Sequence, residues 1–260
     1  MPASDQLPHR RREVVSFVHR GGRMTDGQAH AWDRWWPRYG RTMNDTEAPD
    51  TEFALDLTGW FGRDAPVVLE IGSGMGESTA ALAAAAPDVD HLAVEVYQPG
   101  LAQLLMRIRE LGLTNLRMLR ADARMVLRDH IHADALAGIR IYFPDPWPKR
   151  RHHKRRLVQR EFVALVASRI APGGTLHLAT DWAHYAEQMR EVCDAEPTLC
   201  AERPPGQDWN PRPPFTRPAG PARPAGSAGF RPPAWRPLTK FEQRAEAEGR
   251  DVRDLIYRRI

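Results

Sequence analysis

Cysteine is almost missing: Cys193 and Cys200 are the only two in 260 residues. They have no metal-like spacing and no companions, which argues against a disulfide framework and a zinc site and points to a reducing compartment. No apolar run reaches membrane-spanning length, and the basic start MPASDQLPHRRREVVSF has no apolar stretch behind it. A soluble, cytoplasmic chain is therefore expected, with no membrane partner and no metal. Excess charge is scarce as well. The 37 Lys and Arg nearly balance 33 Asp and Glu, leaving a formal net charge of +4. Any basic surface must come from clustering rather than bulk charge. Apolar residues make up 42 % of the chain, enough for a sizeable core.

From Ala65 onward the pattern is regular. Runs rich in Val, Ile and Leu occupy 67–71, 91–96, 116–120, 138–143 and 174–179, separated by helix-compatible stretches at 77–86, 99–111, 123–130, 155–170 and 183–193. Strands alternating with helices in this way predict an α/β fold with a doubly wound, mostly parallel sheet, whose ligands sit at the carboxyl ends of the strands. Residues 1–50 read as an N-terminal arm followed by a helix from Asp26 that Pro37 should stop. Trp32, Trp35 and Trp36 share a face of that helix and are better read as core packing than as base stacking. Residues 51–202 form the core. Residues 203–237 hold eleven prolines, six arginines and one acid, Asp208, and read as a flexible basic insertion. Residues 238–260 return to order with a helix-like LTKFEQRAEAEG and a last strand in DVRDLIYRRI.

The strand ends carry the chemistry. The first, VVLEIGSGMGEST, turns on Gly72, Gly74 and Gly76, where a missing Cβ lets backbone approach a ligand. A dinucleotide fingerprint would need glycine where Glu77 stands, and the Walker Gly-Lys-Ser/Thr is absent. Instead Glu70 precedes the turn, Glu95 ends the second strand where it could accept ribose hydroxyls, and Asp122-Ala123 ends the third. Asp122 would serve equally as a helix N-cap. Three carboxylates around a glycine turn, with no phosphate-binding base among them, suit a nucleoside bearing a positive centre, S-adenosylmethionine. The fourth strand runs into FPDPWPKRRHHKRR. Prolines 144, 146 and 148 stiffen the backbone around Asp145, and Trp147 offers a stacking face. Lys149, Arg150, Arg151, His152, His153, Lys154, Arg155 and Arg156 then form a run without an acid, as phosphate contacts require. The fifth strand ends with Asp181 and Trp182, a helix cap or a substrate contact.

EIGSGMG, FPDPWPKRRHHKRR, ATD and RPLTKFEQR together resemble the bacterial tRNA (guanine-N7-)-methyltransferase family, over most of the chain from about SFVHRGGRMTDGQ onward. The resemblance implies a Rossmann-like class I methyltransferase fold with an antiparallel last strand. It also implies methyl transfer from S-adenosylmethionine to N7 of the guanosine at position 46 in the tRNA variable loop. By the same resemblance Glu70, Gly72, Gly74, Gly76, Glu95, Asp122, Ala123 and Asp145 would bind the cofactor, with Asp145 also catalytic. Lys149, Asp181, Thr239, Lys240, Phe241 and Glu242 would hold the target nucleoside, and Arg151, His152, His153, Lys154, Arg155 and Arg156 would contact RNA. Two alternatives stay open: a class I methyltransferase acting on another nucleobase of RNA or DNA, and a non-enzymatic RNA-binding protein on this scaffold. Either a monomer or a homodimer is compatible with the sequence.

Overall fold

A computed structural model describes residues 22–43, 54–202, 236–237 and 239–260. Most of the arm and nearly all of the 203–237 insertion lie outside the described residues. Strands β1 (Gly40–Thr42), β2 (Val67–Ile71), β3 (Asp90–Glu95), β4 (Leu116–Arg120), β5 (Leu136–Tyr142), β6 (Ile170–Thr180), β7 (Leu199–Ala201) and β8 (Arg253–Arg259) form one sheet in the order β1-β4-β3-β2-β5-β6-β8-β7. All pairings are parallel except those of β8, which runs antiparallel to both β6 and β7. Leaving out the three-residue edge strand β1, this is the doubly wound sheet that the sequence pattern implied, with the antiparallel last strand that the family resemblance implied. The chain winds outward from β2 through β3 to β4, then returns to β5 on the other side of β2. That reversal opens a crevice above the carboxyl ends of β2, β3 and β5.

Each strand presents alternate residues to the two faces. On one face Leu69, Ile71, Ile139, Ile141, Leu176 and Leu178 pack against Phe162 and Val166 of α6 (Arg160–Arg169) and Tyr185 and Met189 of α7 (Ala183–Asp194). On the other, Ala93 and Met118 meet Ala80 and Ala83 of α3 (Glu77–Ala85) and Leu101, Leu104, Leu105 and Ile108 of α4 (Gln98–Leu111). Helix α1 (Asp26–Tyr39) closes that layer, its capping box formed by Thr25 and Gln28. Trp32, Trp35 and Trp36 pack against its core, with Trp32 and Trp36 stacked at 4.0 Å.

Pro37 does not end α1, which runs on to Tyr39. Proline already has a helical φ, and this close to the helix end it sacrifices a single ladder bond. The stacked tryptophans and the buried Tyr39 ring then hold the last turn in place. The helix expected over 155–170 begins only at Arg160, because the basic run before it folds as a 3₁₀ turn from Arg150 to Arg155. The short helix α2 (Leu57–Phe61), capped by the Asp56 carboxylate, leads into β2, and helix α8 (Lys240–Ala247), capped by the Thr239 hydroxyl, completes the architecture beside β8.

Candidate active site

The glycine turn after β2 is held from below by one carboxylate. Glu95 Oε2 accepts from Gly74 N at 2.9 Å, and its Oε1 accepts from Val96 N at 2.7 Å and Tyr97 N at 2.9 Å. Gly72 and Gly74 have φ of 78° and 55°, and a Cβ on either would meet no atom within 4 Å, because it would project into the open cleft. Gly76, with φ of 72°, is glycine for a different reason: its Cβ would lie 2.5 Å from Leu104. The turn also needs Gly100, where a Cβ would stand 2.2 Å from the Gly74 carbonyl oxygen.

Gly72, Gly74, Glu95, Asp122, Ala123 and Asp145 all line one cleft, with Ile71, Val94, Ala121, Ile141 and Leu157 as its apolar floor. Asp122 lines this space and also caps the three-residue turn α5 (Ala123–Met125), its Oδ1 accepting from Arg124 N at 2.7 Å. Phe143 and Phe241 form one wall, their rings stacked at 5.9 Å and 17°. Acids at two rims, apolar floor and glycine backbone fit an adenosine carrying a cationic arm.

Asp145 sits in a strained elbow. Phe143 has φ of 50° and Trp147 of 42°, and both precede a proline. Left-handed backbone in a bulky residue costs about 1–3 kcal/mol and persists where the surroundings enforce it. Here the enforcement is visible. Arg155 lies over the Trp147 ring at 4.9 Å and His152 meets its edge at 5.9 Å, tying the 3₁₀ turn back onto the elbow. Arg156 braces it from beneath, donating to the Pro146 carbonyl at 2.8 Å and to Gln188 Oε1 at 2.6 Å.

Behind the Phe143–Phe241 wall lies a buried polar chain. Tyr142 Oη meets His177 Nδ1 at 2.9 Å, and His177 Nε2 meets Asp254 Oδ1 at 2.7 Å. Arg236 donates to both Asp254 oxygens at 2.8 and 3.0 Å and to both Glu242 oxygens at 3.0 and 3.2 Å. Burial pushes the His177 pKa down, outweighing its carboxylate neighbour, so its ring is neutral: Nε2–H donates to Asp254 and Nδ1 accepts from Tyr142. Burial alone would raise the Asp254 pKa, but a hydrogen bond from His177 and the hydrogen bonds and charge of Arg236 hold it below the usual carboxylate value. One guanidinium thus clamps α8 onto β8 and β6.

A family model described as a putative methyltransferase matches residues 64–218. The chain is 46 % identical over 249 residues to the tRNA (guanine-N(7)-)-methyltransferase of Alkalilimnicola ehrlichii, covering 96 % of this chain and 94 % of that one. It is 47 % identical to that of Nocardia farcinica, covering 95 % and 84 %, and 45 % identical to that of Nitrosomonas eutropha, covering 94 % and 96 %. The chain belongs to the tRNA (guanine-N7-)-methyltransferase family.

The family motifs do not all converge on the cleft. Glu70 faces the sheet interior instead, opposite Arg140 of β5. Burial raises its pKa to about 7 against the lowering pull of Arg140, and among the described residues its Oε2 has no hydrogen-bond partner. Gly76 packs on α4 rather than lining the cleft. Arg156 corrects the expected RNA contact: it is fully buried, so it supports the elbow and offers nothing to a phosphate. Glu242 and Thr239 likewise face inward, one in the Arg236 clamp and the other as a helix cap. Asp181 is paired with Arg250 at 2.9 Å, and the α7 N-cap is Trp182, without a side-chain bond. Lys240 reaches Glu77 at 2.9 Å while staying largely exposed. Of Thr239, Lys240, Phe241 and Glu242, it is Phe241, at 53 % exposure, that lines the cleft. Gly100, Arg236, His177 and Asp254 were missed; only the Pro99-Gly100 pair at a helix start carried a local signal.

Proposed function

We propose that this chain methylates N7 of a guanosine in tRNA, that at position 46 of the variable loop, using S-adenosylmethionine. The observation that carries the reading is the single cleft in which Glu95, Asp122 and the glycine turn meet Asp145, beside an exposed basic turn. The two cleft glycines fit the cofactor, because their missing side chains leave its room. Glu95 and Asp122 would take its ribose and adenine, and the apolar floor its carbon skeleton. When bound, S-adenosylmethionine supplies an electrophilic methyl group on a sulfonium centre.

The remaining work belongs to the chain. Guanine N7 presents a lone pair, so no general base is needed; alignment is. Asp145, fixed by its elbow, would accept from guanine N1–H or N2–H and stabilise the positive charge the ring acquires. Phe143 and Phe241 would flank the base and exclude water. Arg151, His152, Lys154 and Arg155 would meet the tRNA backbone, and Lys149, Asp181 and Lys240 the target nucleoside. Glu242 and Thr239 would act on that nucleoside through the placing of Phe241 and Lys240. Guanosine has to leave its tertiary contacts to enter, a cost of a few kcal/mol by analogy with base flipping.

Thermal melting with S-adenosylmethionine tests the cofactor half. The wild type should be stabilised by the cofactor, and Glu95→Ala should lose most of that shift. Equal shifts in both proteins would remove Glu95 from the site.

A further inference from the structure

A second concavity lies on the far side of the elbow, lined by Pro148, Arg150, His153, Trp182 and His184. Its two walls are continuations of the candidate active-site elements. Pro148 and His153 follow Asp145 and Lys149 in the basic turn, while Trp182 and His184 follow Asp181 at the head of α7. The rings of His153 and His184 approach to 5.0 Å at 52°. No acid lines the groove.

The groove is held in shape before anything enters it. Trp182 is half-buried against the main core, and its backbone N–H donates to Thr180 Oγ1 at 3.2 Å. The buried Arg156 lies 3.2 Å from His184 through Nη1 and Nδ1. A guanidinium can only donate, so Nδ1 is the acceptor and the neutral ring carries its proton on Nε2, at the opposite edge. On the other wall, Gln159 Nε2 donates to the His153 carbonyl at 2.9 Å. Desolvation and the charge of Arg156 hold His153 toward its neutral form. The groove therefore offers aromatic faces, a fixed N–H donor and one exposed guanidinium. Stacking faces with a cation beside them are what single-stranded nucleotides are bound by.

We propose that this groove binds a nucleotide adjacent to the target guanosine, its base against Trp182 and the histidines and its phosphate at Arg150. The inference rests on the tRNA-methylating reading of the neighbouring cleft. Once the guanosine has left its stack, the next nucleotide loses a neighbour too. A second seat for it would hold the strand open and fix the register of the base in the cleft. Arg156 acts here only through His184 and Pro146, as a positioning residue.

The test is steady-state kinetics of the full-length enzyme on tRNA for Trp182→Ala, Trp182→Phe and His184→Ala. It is combined with tRNAs lacking the base of the nucleotide on one or the other side of the target. Trp182→Ala and His184→Ala should raise KM for tRNA roughly five- to hundredfold, the range for a lost stacking contact, with a smaller change in kcat. Trp182→Phe, which keeps a ring on the core, should recover most of the loss and excludes misfolding as its cause. The cofactor-induced melting shift should stay that of the wild type. One baseless tRNA should weaken the wild type but cost Trp182→Ala nothing further, since both changes remove the same contact. Wild-type KM values in both alanine variants, or losses that simply add, would overturn the groove proposal. Failure of the functional reading looks different: the wild type itself would place no methyl on tRNA guanosine.

Discussion

Arg236→Met removes the one cation that Glu242 and Asp254 share. All three side chains are buried, at 0 %, 2 % and 6 % exposure, so water cannot replace the lost charge. Breaking one partner out of a buried ion pair costs about 3–5 kcal/mol, because the abandoned carboxylate stays desolvated. Asp254 keeps its bond from His177, and Glu242 loses both guanidinium contacts. At roughly 2–4 °C per kcal/mol for a chain of this size, melting should fall by roughly 6–20 °C near neutral pH. The deficit has a sign in pH. Arg236 helps hold the Asp254 pKa down, so the stability Asp254 gains from it is present above the unfolded pKa and fades as pH falls through the folded one, and the deficit fades with it. Arg236→Met/Glu242→Gln, which removes the uncompensated charge as well, should recover a large share. Freed from its clamp, α8 would also let Phe241 drift from Phe143, so KM for tRNA should rise. Thermal melting across a pH series, with initial-rate kinetics, reads all of this. A single variant within about 1 kcal/mol of wild type, with a parallel pH profile, would show that the clamp does not hold α8.

Three further outcomes follow from the site. Gly76→Ala forces a left-handed alanine against Leu104 and should destabilise by about 2–5 kcal/mol; Gly72→Ala should cost only the strain, about 1–2 kcal/mol, yet abolish the cofactor-induced melting shift. Matching losses in the two variants would dissolve the distinction. Glu70 titrates near 7 in the folded chain and near 4.5 when unfolded, so wild-type stability should fall as pH rises between those values and level off above. Glu70→Gln has no such slope and should be the more stable protein at alkaline pH but not at acidic pH; parallel curves would contradict this. Asp145→Ala should abolish methyl transfer while tRNA binding in a filter or gel assay stays near wild type, and near-normal turnover would remove Asp145 from the chemistry.

The central strands were legible because strands covered on both faces are rich in apolar residues, and β2 to β6 each carry a short apolar stretch between turn or helix signals. The edge strands β1 and β7 were not legible: three residues are too few for a period, and their pairing comes from β4 and β8. The cleft acids Glu95, Asp122 and Asp145 could be found because each sits at the end of its own strand. Glu70 is placed differently. It precedes the glycine turn closely, yet it lies inside β2, with the turn starting only after Ile71. The Arg236 clamp had no local signature, since its members at 177, 236, 242 and 254 meet only through the pairing of β6 with β8 and the docking of α8. Arg156 was hidden by its neighbours. A row of like charges does not reveal which member turns inward, and that is decided by the 3₁₀ turn and by acceptors from Pro146 and Gln188.

Transfer of a radiolabelled methyl group from S-adenosylmethionine to total tRNA, followed by digestion and nucleoside separation, tests the central claim most directly. Label should appear in 7-methylguanosine alone and be lost when the variable-loop guanosine is replaced. Label in another nucleoside, or none with the wild-type protein, would contradict it.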